Sequence, residues 1–479
     1  MLRNGFINND KQKTINNYIL FFCLLLISLI TSYALANGNK IIAFGALGLF
    51  CGIYVILNAL NFLKFGLSIV LILSLSVNGL KRLTETGFPL GTLVDLTCSL
   101  LLLVVLIGTK FNKQKIVIDS FGSILLFYAF YNILQVFNPK ANSILSWFHH
   151  IRVIFTITSV YFITVGIIKS IKDVEFFLRL IIILNLILAF YGIYQELYGF
   201  LPYETKWIYS TNQYSLLYTF GKWRKFSFLS GPMIFGILMA IIGVLCLILS
   251  FGEKSKRFKI FYIFSGTVML WAMFYTSTRT AYVLLPAGIL FFAILTLKKN
   301  ILIICGILLV ALTFVIVAPT NNPNLYIFKT AFKPKDDASF LVRKHNQAFI
   351  RPYIQSNPFG LGLGSVGFSA AVYAPNSLLS SFPPDSEMVK VAIDLGWLGL
   401  FFYCMVWFTL LKHGIENYFS VKDSKIKNYY SAFTCVILLY LTSNYPQEAV
   451  QMESMVIISI IAGIMTKLKY LDNQNKETL

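Results

Sequence analysis

Charge is what this chain has least of. Only 13% of its 479 residues are Asp, Glu, Lys or Arg, whereas a soluble domain carries about 25%. A globular protein with water as its main solvent is therefore excluded. Acidic residues are scarcer still, with 20 Asp and Glu against 40 Lys and Arg. A surplus of +20 would suit nucleic acid if it formed a groove, but the cations sit in short groups between apolar runs. That placement is membrane topology, and no nucleic-acid partner is expected. The seven cysteines (Cys23, Cys51, Cys98, Cys246, Cys305, Cys404 and Cys435) all lie inside apolar runs with no C-x-x-C pair. Neither a disulfide framework nor a zinc or redox site is expected, and they read as small packing residues. His345 has no His or Cys at ligand spacing, so no metal site is expected either.

What the chain has in quantity is apolar, 57% of its residues. A membrane helix needs roughly 20 apolar residues, and segments from 18–36 and 41–60 through 258–275, 428–445 and 450–466 approach that length. The segment 65–79 is short. The expected fold is all-α, a polytopic membrane bundle of about 12–14 transmembrane helices. Residues 1–479 read as a single membrane domain, without linker, heptad or internal repeat.

The first run follows Arg3, Lys11 and Lys13 and ends in Ala34-Leu35-Ala36, which also resembles a signal-peptide cleavage site. A first helix with its basic end inside fits the rest better. On that count the cation-rich loops (Lys110 to Lys115, Lys254 to Lys259, Lys298-Lys299, Lys412 to Lys427) are inner. The short outer loops hold only Lys40, Lys81, Arg82, Lys140 and Arg279. Both termini are then cytoplasmic, and two long loops, 196–230 and 319–387, lie outside.

These two loops and the short outer connection at Arg279 hold the candidates. Loop 196–230 is dense in Tyr and Trp, an interfacial belt or a sugar-stacking surface, and ends in Gly221-Lys222-Trp223-Arg224-Lys225. Arg224 and Lys225 can meet lipid phosphates or clamp a diphosphate. Arg279, in FYTSTRTAYVLL, sits at the start of a span. There a guanidinium and free backbone N–H groups can hold an anion together, the alternative being an arginine that snorkels to the interface. Arg343 and Arg351 bracket a short amphipathic helix and fall roughly on one face of it. Asp336 and Asp337 read as a turn. The run GLGLG at 360–364 lacks a following G-K-[ST] and reads as close backbone packing. Asp385 and Glu387 stand at the mouth of the next span, suited to a general base, with Asp385 also suited to cap the helix.

Three stretches in order give a resemblance. TSTRTAYV, SNPFGLGLGSVGF and DSEMVKVAIDLGWLGLF are similar to the signature segments of the O-antigen ligase and O-antigen polymerase superfamily of bacterial envelope glycan enzymes, and WRKFSFLSGPMIFG matches more weakly. The likeness covers roughly 220–410. It implies a C-type glycosyltransferase of the inner membrane, inverting and free of metal and cofactor. The donor it implies is an undecaprenyl-diphosphate-linked glycan, and it leaves room for a chain-length regulator. Arg279, Arg224 and Arg343 would then hold the diphosphate, and a base in the closing segment would activate the acceptor hydroxyl. Ligases carry a His-Asn pair there. Counting back from Gly396, this chain has Asp385-Ser386, which turns the expectation toward a polymerase of O-antigen or exopolysaccharide, with ligase as the alternative. A flippase or transporter is the rival from another class. It would need ionisable groups within its spans, for which Asp95 and Arg152 are the main candidates.

Overall fold

A computed structural model describes residues 62–84, 90–111, 118–219, 221–319, 323–332, 338–380 and 382–477. The expected spans 18–36 and 41–60, the Ala34-Leu35-Ala36 site and the Asp336-Asp337 turn lie outside these residues. Leu67–Leu479 form one compact unit.

The described chain is helical almost throughout. Five long helices come first: α1 (Leu63–Thr84), α2 (Gly91–Phe111), α3 (Ser120–Leu134), α4 (Ile144–Ile167) and α5 (Ile171–Tyr198). A short region follows, with α6 (Pro202–Ser210), α7 (Tyr214–Leu217) and the antiparallel pair β1 (Tyr218–Thr219) and β2 (Lys222–Trp223). Next come α8 (Pro232–Gly252), α9 (Lys256–Phe274), α10 (Arg279–Thr296) and α11 (Lys299–Val317). The second long loop contributes α12 (Pro323–Thr330), α13 (Ala338–Ser356) and α14 (Gly367–Tyr373). The chain ends with α15 (Glu387–Ser420), α16 (Ser424–Asn444) and α17 (Met452–Glu477).

Ten of these helices are long and apolar enough to cross a membrane, so this is a multi-pass membrane protein. The short expected span is in fact the full-length α1, extended at both ends. Two helices of span length, α9 and α16, fall outside the ten. α9 opens on Lys256, Arg257 and Lys259, which lower its mean hydropathy; for α16 the reason is visible in its packing. α16 is enclosed by α8, α10 and α15, so its tyrosines face protein and no apolar stripe is required. α8, apolar on all sides, is 89% buried over its most apolar stretch, whereas α11 is 11% buried over its own. The first is the core of the bundle and the second its lipid-facing edge.

Helix ends follow local chemistry. Ser170 and Asp173 close a reciprocal capping box at α5, satisfying two orphan N–H groups. Pro202 and Pro232 occupy first-turn positions where a missing N–H is harmless. α15 is broken at Gly396, whose φ of 71° and ψ of −178° leave the helical region. A Cβ there would collide with the carbonyl of Pro358, and one on Gly360 would collide with the backbone of Asp394. The glycine-rich loop thus lies backbone to backbone against the break. Leu361 N donates to Ile393 O at 2.9 Å, Gly362 N to Asp394 O at 3.0 Å, and Leu398 N to Pro358 O at 3.3 Å. Close packing is what this loop does, as its glycines led one to expect.

The aromatic loop divides in two. Ile208, Leu217 and Phe226 form a small core with Phe200, Trp207 and Trp223. Tyr198, Tyr209, Tyr214 and Tyr218 remain exposed. Arg82, counted above as an outer-loop cation, is buried in the last turn of α1. Its guanidinium stacks on Trp207 and Phe226, with centroids at 4.7 and 4.5 Å, and donates to the carbonyls of Ser227 and Leu229. It pins the loop to the bundle.

Candidate active site

A cavity of about 690 Å³ opens where α8 and α10 begin. Arg224, Arg279, Arg343 and Asp385 all line it. They come from four separate stretches of sequence.

The turn before α10 is the centre of the arrangement. Thr278 is the N-cap and Arg279 the first helical residue. Ser277 before them has a left-handed φ of 49°, a conformation that costs a non-glycine residue roughly 1–2 kcal/mol. Thr278 Oγ1 donates to Pro232 O at 3.1 Å, tying this turn to the first residue of α8. Gly236 allows the approach, since a Cβ there would strike Thr276 and Thr278. Two helix N-termini therefore face one space, each with the positive end of its dipole toward it.

Arg224 is held in place by the same turn. Its Nε donates to Thr276 O at 3.0 Å, one terminal nitrogen to Thr278 Oγ1 at 3.3 Å, and the other to Leu216 O at 3.3 Å. Removal from water lowers its pKa to about 10, and Arg279 nearby pushes the same way against an opposing effect of Tyr282. It stays charged at neutral pH. Both arginines are thus set close despite their repulsion, a geometry that favours an anionic guest.

Asp385 enters from the other side. Its φ is 52°, and Asn346 Nδ2 donates to its Oδ2 at 3.1 Å. Asp385 was expected to double as the helix cap, but Ser386 takes that role, its side chain accepting from Val389 N. A left-handed residue one step earlier cannot supply the extended cap geometry.

The remaining candidates go elsewhere. Lys225, adjacent to Arg224, turns away from the cavity. It is buried, pairs with Glu196 at 3.3 Å and lies over the Phe200 ring at 4.8 Å. Burial pulls its pKa down, partly countered by Glu196. Arg351 is on α13 with Arg343 but exposed and not among the cavity's lining residues. Glu387 lines a second cavity of about 270 Å³ with His149, Lys390, Asp394 and Glu448.

Sequence reasoning missed several contributors. Gln447 and Gln451, in the connection between α16 and α17, line the arginine cavity. Gln447 Nε2 donates to Thr280 Oγ1 at 3.2 Å, and its carbonyl accepts from Glu387 N at 3.1 Å. This connection clasps the starts of α10 and α15 together. The signal was present, because a turn carrying two glutamines and a glutamate between apolar helices is polar beyond a turn's needs. Asp394 was also missed. It accepts from Gly364 N at 3.0 Å and Ser365 N at 2.9 Å, fixing the glycine-rich loop. Asp95 and Arg152, the in-span charges, form an ion pair in which Arg152 Nε donates to Asp95 at 2.7 Å and Thr156 donates to the other oxygen.

Residues 264–404 match the family model described as O-antigen ligase. Over this segment the chain is similar to the O-antigen ligase family. The matched segment runs from α9 into α15. It contains Arg279, Arg343, Asp385 and the glycine-rich loop, while Arg224 lies before it. No curated protein matches the chain.

Proposed function

We propose that this protein polymerises undecaprenyl-diphosphate-linked oligosaccharide repeat units, for O-antigen or exopolysaccharide, at the outer face of the bacterial inner membrane. One observation carries the reading: three arginines and one carboxylate from distant parts of the chain line a single cavity at two helix N-termini. The cation bias of the loops supports an outward-facing cavity with both termini cytoplasmic.

The chemistry balances without a further reactant. The acceptor hydroxyl gives its proton to the Asp385 carboxylate as its oxygen attacks the anomeric carbon of the donor. The new C–O bond forms while the bond from that carbon to the diphosphate oxygen breaks. The electron pair leaves with the lipid diphosphate, whose added charge Arg224, Arg279 and Arg343 stabilise. A single displacement of this kind inverts the anomeric centre.

Asp385-Ser386 in place of a His-Asn pair favours polymerase. The description of the matched family, O-antigen ligase, favours transfer to a lipid A-core or other acceptor as the second reading. Surface-glycan gels of cells with Asp385→Ala separate the two. Loss of a polymerase leaves single repeat units on the acceptor; loss of a ligase leaves the acceptor bare while lipid-linked polymer accumulates. A normal ladder would refute both.

A further inference from the structure

Beside the arginine cavity, the second cavity has no part in the displacement just described. A thin wall divides them. Asp385 and Gln447 line the first, their near neighbours Glu387 and Glu448 line the second, and Gln451 lines both.

The second lining is chemically different. It holds no arginine among the described residues, and its charged groups are three carboxylates and one lysine. Asp394 is occupied by two backbone N–H groups, and Lys390 pairs with Glu448 at 3.5 Å. Four polar atoms of the lining remain unsatisfied: Glu387 Oε2, His149 Nδ1, Asn132 Oδ1 and the donor Trp407 Nε1 are buried without a hydrogen-bond partner. Glu387 is 4% exposed and Asn132 0%. Each such atom costs about 1–3 kcal/mol if left unpaired, and a charged one more. Four around one space mark a place for a hydrogen-bonding occupant. Trp407, Tyr128 and Tyr403 supply aromatic surface, and the exposed Phe368 stands at the rim.

The excess of carboxylates disfavours an anion, and an apolar guest would leave the unsatisfied atoms as they are. A neutral polyhydroxylated ring answers both requirements. Its hydroxyls donate to carboxylate, amide and imidazole acceptors, and its C–H faces cover the aromatic rings. We propose that this cavity is a subsite for a sugar ring of the acceptor. The proposal rests on the glycan-transfer reading and adds to it. Donor anion and acceptor hydroxyls then have separate sites of matching chemistry, joined at Gln451.

The test uses the full chain in detergent and saturation-transfer NMR, with free glucose, galactose, mannose, rhamnose and N-acetylglucosamine as probes. At least one sugar is expected to bind both the wild type and Arg279→Ala. Glu387→Gln, which keeps shape and removes charge, and Phe368→Ala, at an exposed position, should each weaken it about tenfold, or about 1.4 kcal/mol. No binding by any sugar overturns the proposal. So does binding that Arg279→Ala removes while Glu387→Gln spares it, and so does binding indifferent to both Glu387→Gln and Phe368→Ala. Failure of the transfer reading itself shows elsewhere, as a normal glycan ladder from Arg279→Ala cells.

Discussion

Asn346 donates through Nδ2 to Asp385 Oδ2 across 3.1 Å, so a helix of the long loop holds the carboxylate that precedes α15. The contact is polar and loop-borne, and it aims one carboxylate oxygen. A hydrogen bond to a charged group contributes about 1.5–3 kcal/mol. Asn346→Ala is therefore expected to slow glycan transfer by roughly ten- to a hundredfold without changing how much protein reaches the membrane. Turnover of lipid-linked donor in reconstituted vesicles measures this. An unchanged rate would mean that Asp385 needs no orientation or is not the base.

Arg279 should depend on its shape as well as its charge. A guanidinium offers a planar fork to a diphosphate, and an ammonium offers a point charge. Arg279→Ala is expected to abolish long-chain glycan, and Arg279→Lys to leave a small fraction of it. Full activity in the lysine variant would mean that only the electrostatic potential at the α10 N-terminus matters.

Lys225 provides a contrast one residue from Arg224. Its partner is Glu196 at 3.3 Å, away from the cavity. Lys225→Met should leave the donor KM near that of the wild type, whereas Arg224→Met should raise it. Equal increases would show that both cations reach the donor and that the Glu196 pair breaks on binding.

Asp394 and Gly396 carry structural predictions. Asp394→Ala would leave two buried N–H groups, on Gly364 and Ser365, unpaired at about 1–3 kcal/mol each. Its melting temperature in detergent should fall clearly. Gly396→Ala meets both a left-handed φ of 71° and the Pro358 carbonyl, so it should reduce folded yield. Gly306→Ala, on α11 with nothing within 4 Å of the new Cβ, is the control. A mid-helix exchange of this kind is worth about 0.5–1 kcal/mol in favour of Ala. If Gly396→Ala and Gly306→Ala behaved alike, the break in α15 would not be a requirement of the fold.

The membrane class and the order of the long helices were legible in the sequence, because hydropathy is a local quantity that survives folding unchanged. Arg279 at a helix start and the glycines as a packing device were legible for the same reason. Which polar groups meet was not. Arg343 reaches the cavity and Arg351, eight residues along one helix, does not; Arg224 lines the cavity and Lys225 is buried against Glu196; Ser386 caps α15 where Asp385 was expected to. Those outcomes turn on left-handed backbone at Ser277, Asp385 and Gly396 and on the clasp of Gln447 between two helix starts. Such dihedrals and long-range contacts are set by the packed bundle as a whole, and no window of sequence contains them.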